Sequence, residues 1–447
     1  MGADYRVLQD NGPENPPTFL RFETFKALYK TRFIFVEERT PAGKKKVVKR
    51  EFVDLWWAWG ERRTFVDGIT FAPPPAKTPP MAFNTWRGIV KPEPGSVKDW
   101  PLLRQHMREN VCQGDKAYFD WLMTWFAQHH QQPGIKLGSA VVVKGKKGTG
   151  KSVLFDNFRA GLGRYAMKVS NRRHITGNFN AHQQGIIHMT CEEGFWAGDK
   201  QAAGSLKDLI TSPTMNLELK GIDPVEVPNF VRLAFVSNER WVVPADLEGE
   251  ERRFFVLECG DKRRQDIDYF ARLAEEMQNG GLASMVAELS SYVPAKGWSV
   301  LRKPPQTPWL AEQGRQSVDD DVRFFIRLIE LGGLDTVQSP FIPEIDLADL
   351  ENKEGTALRI PYSILLRQFE HFMLRHGDRR NVKDQFKSLA TRLLGADPVL
   401  KSAEVSFQAP ERDRDSGAHD TTTKSVKCFI CPPLKVIRAA SIEAGYL

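Results

Sequence analysis

Cysteine is scarce, with five residues in a chain of 447, and that excludes a disulfide framework as the source of stability. Two of the five, Cys428 and Cys431, form a lone C-x-x-C. A zinc site takes about four ligands, and with no second pair nearby the spacing reads as strand chemistry rather than a metal centre. No apolar run approaches the roughly 20 residues a membrane span needs. Met1–Pro17 is polar, rich in proline and glycine, and lacks the apolar core of a signal peptide. The expectation is a cytoplasmic protein with no membrane partner. There is no internal repeat. The formal charge of +7 suits a polyanionic partner without demanding one. Its basic clusters, Lys44–Lys45–Lys46 with Lys49 and Arg50, and Lys262–Arg263–Arg264, read as solvated faces. Hydrophobic residues at 41% and charged residues at 27% describe an ordinary globular chain, long enough for two or three domains.

Three zones follow from composition. Residues 1–100 read as short strands and turns, with "TRFIFVEE" and "KKVVKREFVDLWWAW" flanking a turn as a hairpin, then a proline-rich linker at Pro73–Pro80. Trp56, Trp57, Trp59 and Trp86 make this zone aromatic; base stacking is open to them, but core packing is the favoured reading. Residues 101–290 alternate helix and strand. Phe119, Leu122, Met123 and Phe126 recur at helical steps. The runs Ala140–Val143, Ile186–Met189 and Val231–Val236 suit buried strands of a mostly parallel sheet, so this zone is an α/β core. The prolines of "VLRKPPQTPWL" mark a boundary. Residues 317–447 carry helices at "SILLRQFEHFMLRH" and "VKDQFKSLATRLL", then the strand-like "AEVSFQA" and "SVKCFICPPLKVI". That order predicts a winged-helix-like domain.

The strongest chemical signal is "VVVKGKKGTGKS", which fits G-x-x-x-x-G-K-[ST] with a strand before it and a helix after it. Backbone N–H groups of Gly145, Gly148, Thr149 and Gly150 curl around phosphate oxygens at a helix N-terminus. Lys151 reaches the β and γ phosphates, and Ser152 ligates Mg²⁺. ATP and Mg²⁺ are therefore the expected substrate and cofactor. "GIIHMTCEEGFW" supplies paired acids after a strand: Glu192 to hold Mg²⁺ and Glu193 to polarise the attacking water. Asp199 and Asp208 are weaker rivals. "VRLAFVSNERW" ends a third strand near Asn238, placed to bond the lytic water or γ-phosphate. "EGEERRFFVLE" sets Arg252 and Arg253 before a strand, where an arginine stabilises phosphoryl transfer, Arg253 first.

In this order the motifs, together with "FNTWRG", "ITGNFNAH", "LKDLITSPTMNLELKG" and "VPNFVRLAFVSNERWVVPAD", resemble the superfamily 3 helicases of viruses and phages. They are most similar to the helicase part of phage and plasmid primase–helicases. The likeness covers about Phe83–Leu257. It implies an AAA+-like P-loop ATPase core, a homo-hexameric ring on single-stranded DNA, Arg253 acting on the neighbouring subunit's site, and a channel hairpin at "LELKGIDPVEVPN". Lys220 near the hairpin tip would touch the DNA backbone, with Lys207 as a second candidate; without the resemblance, Lys220 reads as an exposed turn lysine. Such relatives often carry a primase domain first. The first 100 residues here show no carboxylate triad for nucleotidyl transfer, so a separate primase is the expected partner. The rival readings are a P-loop initiator or loader that remodels without processive unwinding, and a DNA-binding regulator with a degenerate nucleotide site.

Overall fold

The computed structural model describes every residue outside 1–5, 13, 14, 16, 40, 42, 172, 178, 179, 193–199, 220, 221, 247–250, 332–356, 376–382, 409–420 and 445. The chain divides into two compact units, one of Met1–Val242 with Arg252–Thr307 and one of Val243–Glu251 with Pro308–Leu447. It is a mixed α/β protein.

The first unit begins with an antiparallel pair, β1 (Arg6–Gln9) and β2 (Thr18–Arg21), followed by α1 (Phe22–Leu28). A ribbon of β3 (Phe33–Arg39) and β4 (Lys45–Glu51) comes next, in antiparallel register from Phe33↔Glu51 to Arg39↔Lys45. The apolar run after β4 does not prolong the strand. It turns into α2 (Phe52–Ala58), because Val53 and Trp56, three apart, pack on Phe25 and its neighbours. That small core takes one helix face only. Trp57 and Trp59, read from the sequence as core residues, stay 41% and 57% exposed. Trp86 instead leans on Tyr165, with ring centroids 4.3 Å apart, just beyond the two-residue parallel pair β5 (Ile69–Thr70) and β6 (Phe83–Asn84).

The helix α3 (Pro101–His106) runs through a π-turn at Met107–Val111 towards α4 (Lys116–Gln131). Asp115 caps α4 by accepting from the Tyr118 N–H at 2.9 Å. The sheet and its partners then follow: β7 (Ala140–Lys144), α5 (Lys151–Leu162), β8 (Ala166–Val169), α6 (Arg173–Thr176), β9 (His188–Glu192), α7 (Lys200–Thr211), β10 (Thr214–Leu219), β11 (Ile222–Pro228), β12 (Arg232–Ser237), β13 (Phe254–Glu258), α8 (Ile267–Glu276) and α9 (Leu282–Ser291). Five strands form one parallel sheet in the order β13-β7-β12-β9-β8. Every residue of β7 and β12 is buried, which accounts for their continuous Val, Leu and Phe runs. The third run expected as a strand, Ile186–Met189, is displaced: β9 starts at His188 and runs on through Thr190. Polar His188 and Thr190 are tolerated in the interior because they bond each other at 2.9 Å. The strand order sets the carboxyl ends of β7, β12 and β9 side by side.

The second unit contains α10 (Pro308–Ser317), α11 (Asp320–Leu331), β14 (Leu358–Pro361), α12 (Tyr362–Arg375), α13 (Lys383–Leu394), β15 (Lys401–Gln408), β16 (Thr421–Cys431) and α14 (Leu434–Glu443). Its strands pair antiparallel in the order β14-β16-β15. Phe325, Phe369, Phe386 and Phe429 centre its core. The expected two-stranded ribbon thus gains β14, too short to show alternation in sequence. Pro432 and Pro433 end β16, and the "KVI" read as strand opens α14. Cys428 and Cys431 are both buried in β16. Residues three apart on a strand face opposite sides, and among the described residues no group of three or more metal-ligating side chains gathers.

Candidate functional site

At the carboxyl end of β7 the chain turns through Gly145–Gly150 into α5. Gly145, Gly148 and Gly150 all have positive φ, at 144°, 79° and 87°, in the region that favours glycine. Gly150 is constrained twice over: a β-carbon there would sit 2.6 Å from both the His106 ring and the Phe270 ring. Thr149 is buried and its hydroxyl donates to the Lys146 carbonyl at 2.9 Å. The segment after β13 holds the loop from outside. The Cys259 N–H donates to the Lys144 carbonyl at 2.8 Å, the Gln265 N–H to the Gly148 carbonyl at 2.9 Å, and Lys146 pairs with Asp261 at 2.5 Å.

Lys151, the first residue of α5, is 6% exposed. Its ammonium donates to the Gly145 and Lys146 carbonyls, each at 2.7 Å, and to Asn238 Oδ1 at 3.0 Å. Asn238 follows the last residue of β12, so a candidate at the start of a helix and one at the end of a strand meet directly. Glu192 ends β9 half-buried. One carboxylate oxygen pairs with Lys168 of β8 at 2.6 Å, while the other is buried with no hydrogen-bond partner. These groups line a cleft of about 510 Å³ that takes in Lys147–Val153, Glu192, Val236–Asn238, Gln265, Ile267 and Phe270. Ser152 is among them.

The other candidates fall elsewhere. Arg252 and Arg253 precede β13 at the amino edge of the sheet: Phe254 is level with Ala140 and Glu258 with Lys144. They therefore lie about five strand residues, roughly 16 Å, from the glycine loop, and neither lines the cleft. Lys207 is half-buried on α7 and Asp208 is exposed; both are outside the cleft lining. Glu193, Asp199 and Lys220 lie outside the described residues. The strands flanking Lys220 do form an antiparallel hairpin, β10–β11, with a bulge between Leu217 and Leu219. Asn180 braces it, donating to the Asn216 carbonyl at 2.8 Å and accepting from the Glu218 N–H at 2.9 Å.

Three comparisons bear on this arrangement. Residues 143–253 match the model of a family of unknown function (DUF5906). Over 204 residues the chain is 25% identical to the DNA primase-polymerase of Nitratiruptor phage NrS-1, a match covering 44% of this chain and 28% of that protein. The chain thus spans under a third of that relative's length. The fold matches the apo structure of the NrS-1 C-terminal region, with a TM-score of 0.59 over 93% of this chain and 91% of that one at 16% identity. A second apo form of the same region gives 0.54 over 81% and 84% at 18% identity.

Several residues at the cleft escape sequence reasoning. Lys168 shows no motif; it reaches Glu192 only because β8 and β9 are parallel neighbours. His106 lies 44 positions before Gly150 in the chain, yet packs against it. Burial pulls its imidazole down to about 4, so the ring stays neutral and adds no charge beside the loop. Ile267 and Phe270, one turn apart on α8, form an apolar shelf at the cleft mouth; Ile267 is 80% exposed.

Proposed function

We propose that this chain is an ATP-driven motor of phage or mobile-element DNA replication, acting as a ring-forming helicase on single-stranded DNA. The observation that carries the reading is the convergence of Lys151 at the start of α5, Asn238 after β12 and Glu192 at the end of β9 on one cleft walled by a glycine loop at a helix N-terminus. The donor set fits a nucleoside triphosphate with a divalent cation. Three left-handed glycines open the loop for phosphate oxygens, a buried ammonium stands inside it, and Glu192, which has one carboxylate oxygen without a partner, lines the same space.

In this reading Lys151 shifts from its loop carbonyls to the β and γ phosphates, and the Ile267–Phe270 shelf takes the base. Ser152 and Glu192 would hold Mg²⁺, which neutralises charge on the phosphates. Glu193 accepts the proton of the attacking water while Asn238 orients it. Arg253, with Arg252 beside it, stabilises the transferring phosphoryl group of a neighbouring subunit. Lys220, which falls between β10 and β11 in the chain, and Lys207 track the DNA backbone without reading sequence. Among the described residues of the second unit, α11 to β16 run helix–strand–helix–helix–strand–strand, the order of a winged helix, and we assign it so.

The likeness to a phage primase-polymerase supports a replication setting in a host cytosol. The match stops short of two thirds of that protein, and primer synthesis is left to a separate primase. Hydrolysis and strand displacement on a forked substrate test the reading, with the assembly's mass taken by light scattering. Wild-type protein is expected to hydrolyse ATP, displace the strand and run as a ring. Lys151→Ala should lose turnover by at least about 10²-fold. Normal turnover in that variant removes the site assignment. Hydrolysis without displacement on any fork supports an initiator or loader instead.

A further inference from the structure

Large apolar side chains are exposed unevenly. Of the eighteen among the described residues, nine lie between Leu28 and Ile69. The same stretch has ten basic and six acidic residues, more than half of the whole-chain excess of +7. The two properties coincide on the β3–β4 ribbon. Register and alternation put Phe33, Phe35 and Arg39 of β3 on one face with Lys45, Val47 and Lys49 of β4. Phe35 is 69% exposed and stands directly opposite Lys49, whose ammonium lies 3.7 Å from the centre of the Phe33 ring. Val47 has Lys45 and Lys49 on either side of it on that face. Glu37 and Glu51 are the acids there, and Glu37 is paired with Lys45 at 3.0 Å.

We propose that this ribbon face is a contact site for single-stranded nucleic acid, separate from the nucleotide cleft. The composition decides between the partners such a surface attracts. Protein–protein interfaces are depleted of lysine at their cores, whereas here every exposed ring or methyl group has an ammonium as its neighbour. Flat rings interleaved with cations match a strand that offers a base face and a phosphate at each step. A duplex hides its base faces and would engage the lysines alone. Phe33 and Phe35 stand about 6.8 Å apart along the ribbon, enough for each to meet a different base. Phe35 is the stacking platform, and Lys45, Lys49 and Arg39 face the phosphates. The proposal takes its partner from the replication reading but none of its residues.

The test uses the full chain without ATP and a fluorescent oligo-dT strand, read by anisotropy. Phe35→Ala is expected to bind about 5- to 100-fold more weakly, Phe35→Trp to bind as well as wild type, and Lys45→Glu with Lys49→Glu to flatten the salt dependence. All three sites are exposed, and circular dichroism confirms that the variants fold. Unchanged affinity in Phe35→Ala, equal affinity for a duplex of the same length, or no binding by wild type overturns the proposal. So does a fall in mass by light scattering with DNA affinity intact, which would make the face a contact between copies of the chain. ATP hydrolysis is measured on the same samples: its absence from wild type defeats the motor reading and leaves the anisotropy result to stand by itself.

Discussion

Ile267 is an aliphatic side chain left four-fifths exposed at the rim of a polar cleft, and such exposure has a cost unless something covers it. A base lying across Ile267 and Phe270 would do so. Burial of one such side chain is worth about 1.5 kcal/mol, so Ile267→Asp should weaken ADP binding about tenfold or more and leave pyrophosphate binding unchanged. Calorimetric titration with the two ligands checks this; equal losses for both would assign Ile267 to the fold of the loop instead. Lys151 was legible in the sequence and Ile267 was not, for a physical reason. The glycine loop is specified by local backbone conformation, so its spacing is written in consecutive residues. The shelf exists only because the turn after β13 folds back and bonds Gly148, and nothing local encodes that approach. Asn238 stands between the two cases: the end of a buried strand predicted its depth, while its bond to Lys151 needed the strand order.

The start of β12 shows how an element is anchored by charge without an opposite charge. Arg232 is buried, and its guanidinium donates to Gln128 Oε1 and to the carbonyls of Phe230, Gln132, Pro133 and Ile135. Burial draws it down to about 9, still charged at neutral pH. Lys136, half-buried, donates to the carbonyls of Leu209 and Val231 and to Asn229. Together they pin the loop after α4 to the strand that carries Asn238. Arg232→Met leaves these acceptors without a donor, and the loss should be at least about 3 kcal/mol, measured by urea unfolding. A change under 1 kcal/mol would mean that water replaces the guanidinium. Among elements, β7 and β12 were legible because burial on both faces writes an unbroken apolar run. The strand reading failed in α2, whose two packing residues look like strand continuation, and was only displaced in β9, where buried His188 and Thr190 bond each other.

Across the molecule, histidine couples stability to pH. His129 and His188 are fully buried and held neutral, chiefly by burial, His188 down to about 3 and His129 well below its usual value; His106 and His130 are drawn to about 4. Unfolded, all four would take up protons near 6.5. Below that pH the unfolded chain binds protons that the native state refuses, so stability is complete above about 7 and falls as pH drops towards 4. At pH 5 each group costs about 2 kcal/mol. Tryptophan fluorescence follows the first unit, which holds ten of the eleven tryptophans. Its unfolding midpoint should drop steeply between pH 7.5 and 5, and His188→Phe should reduce that slope whatever it does to stability at pH 7.5. A slope that does not change excludes His188 from the linkage. Little of this coupling was visible in the chain: Trp125 meets His129 one turn along α4, but the depth that keeps these histidines neutral comes from the packed fold.

The rim-to-rim distance across the sheet carries one more consequence. The arginines before β13 are anchored by a strand whose other end lies at the glycine loop, so no bend of a single subunit brings them to the cleft beside that loop. On the proposed reading each copy owns half of two reaction centres and the whole of none. Turnover then belongs to the seam, and a solitary subunit, however well folded, is a motor with its spark plug mounted on someone else's cylinder.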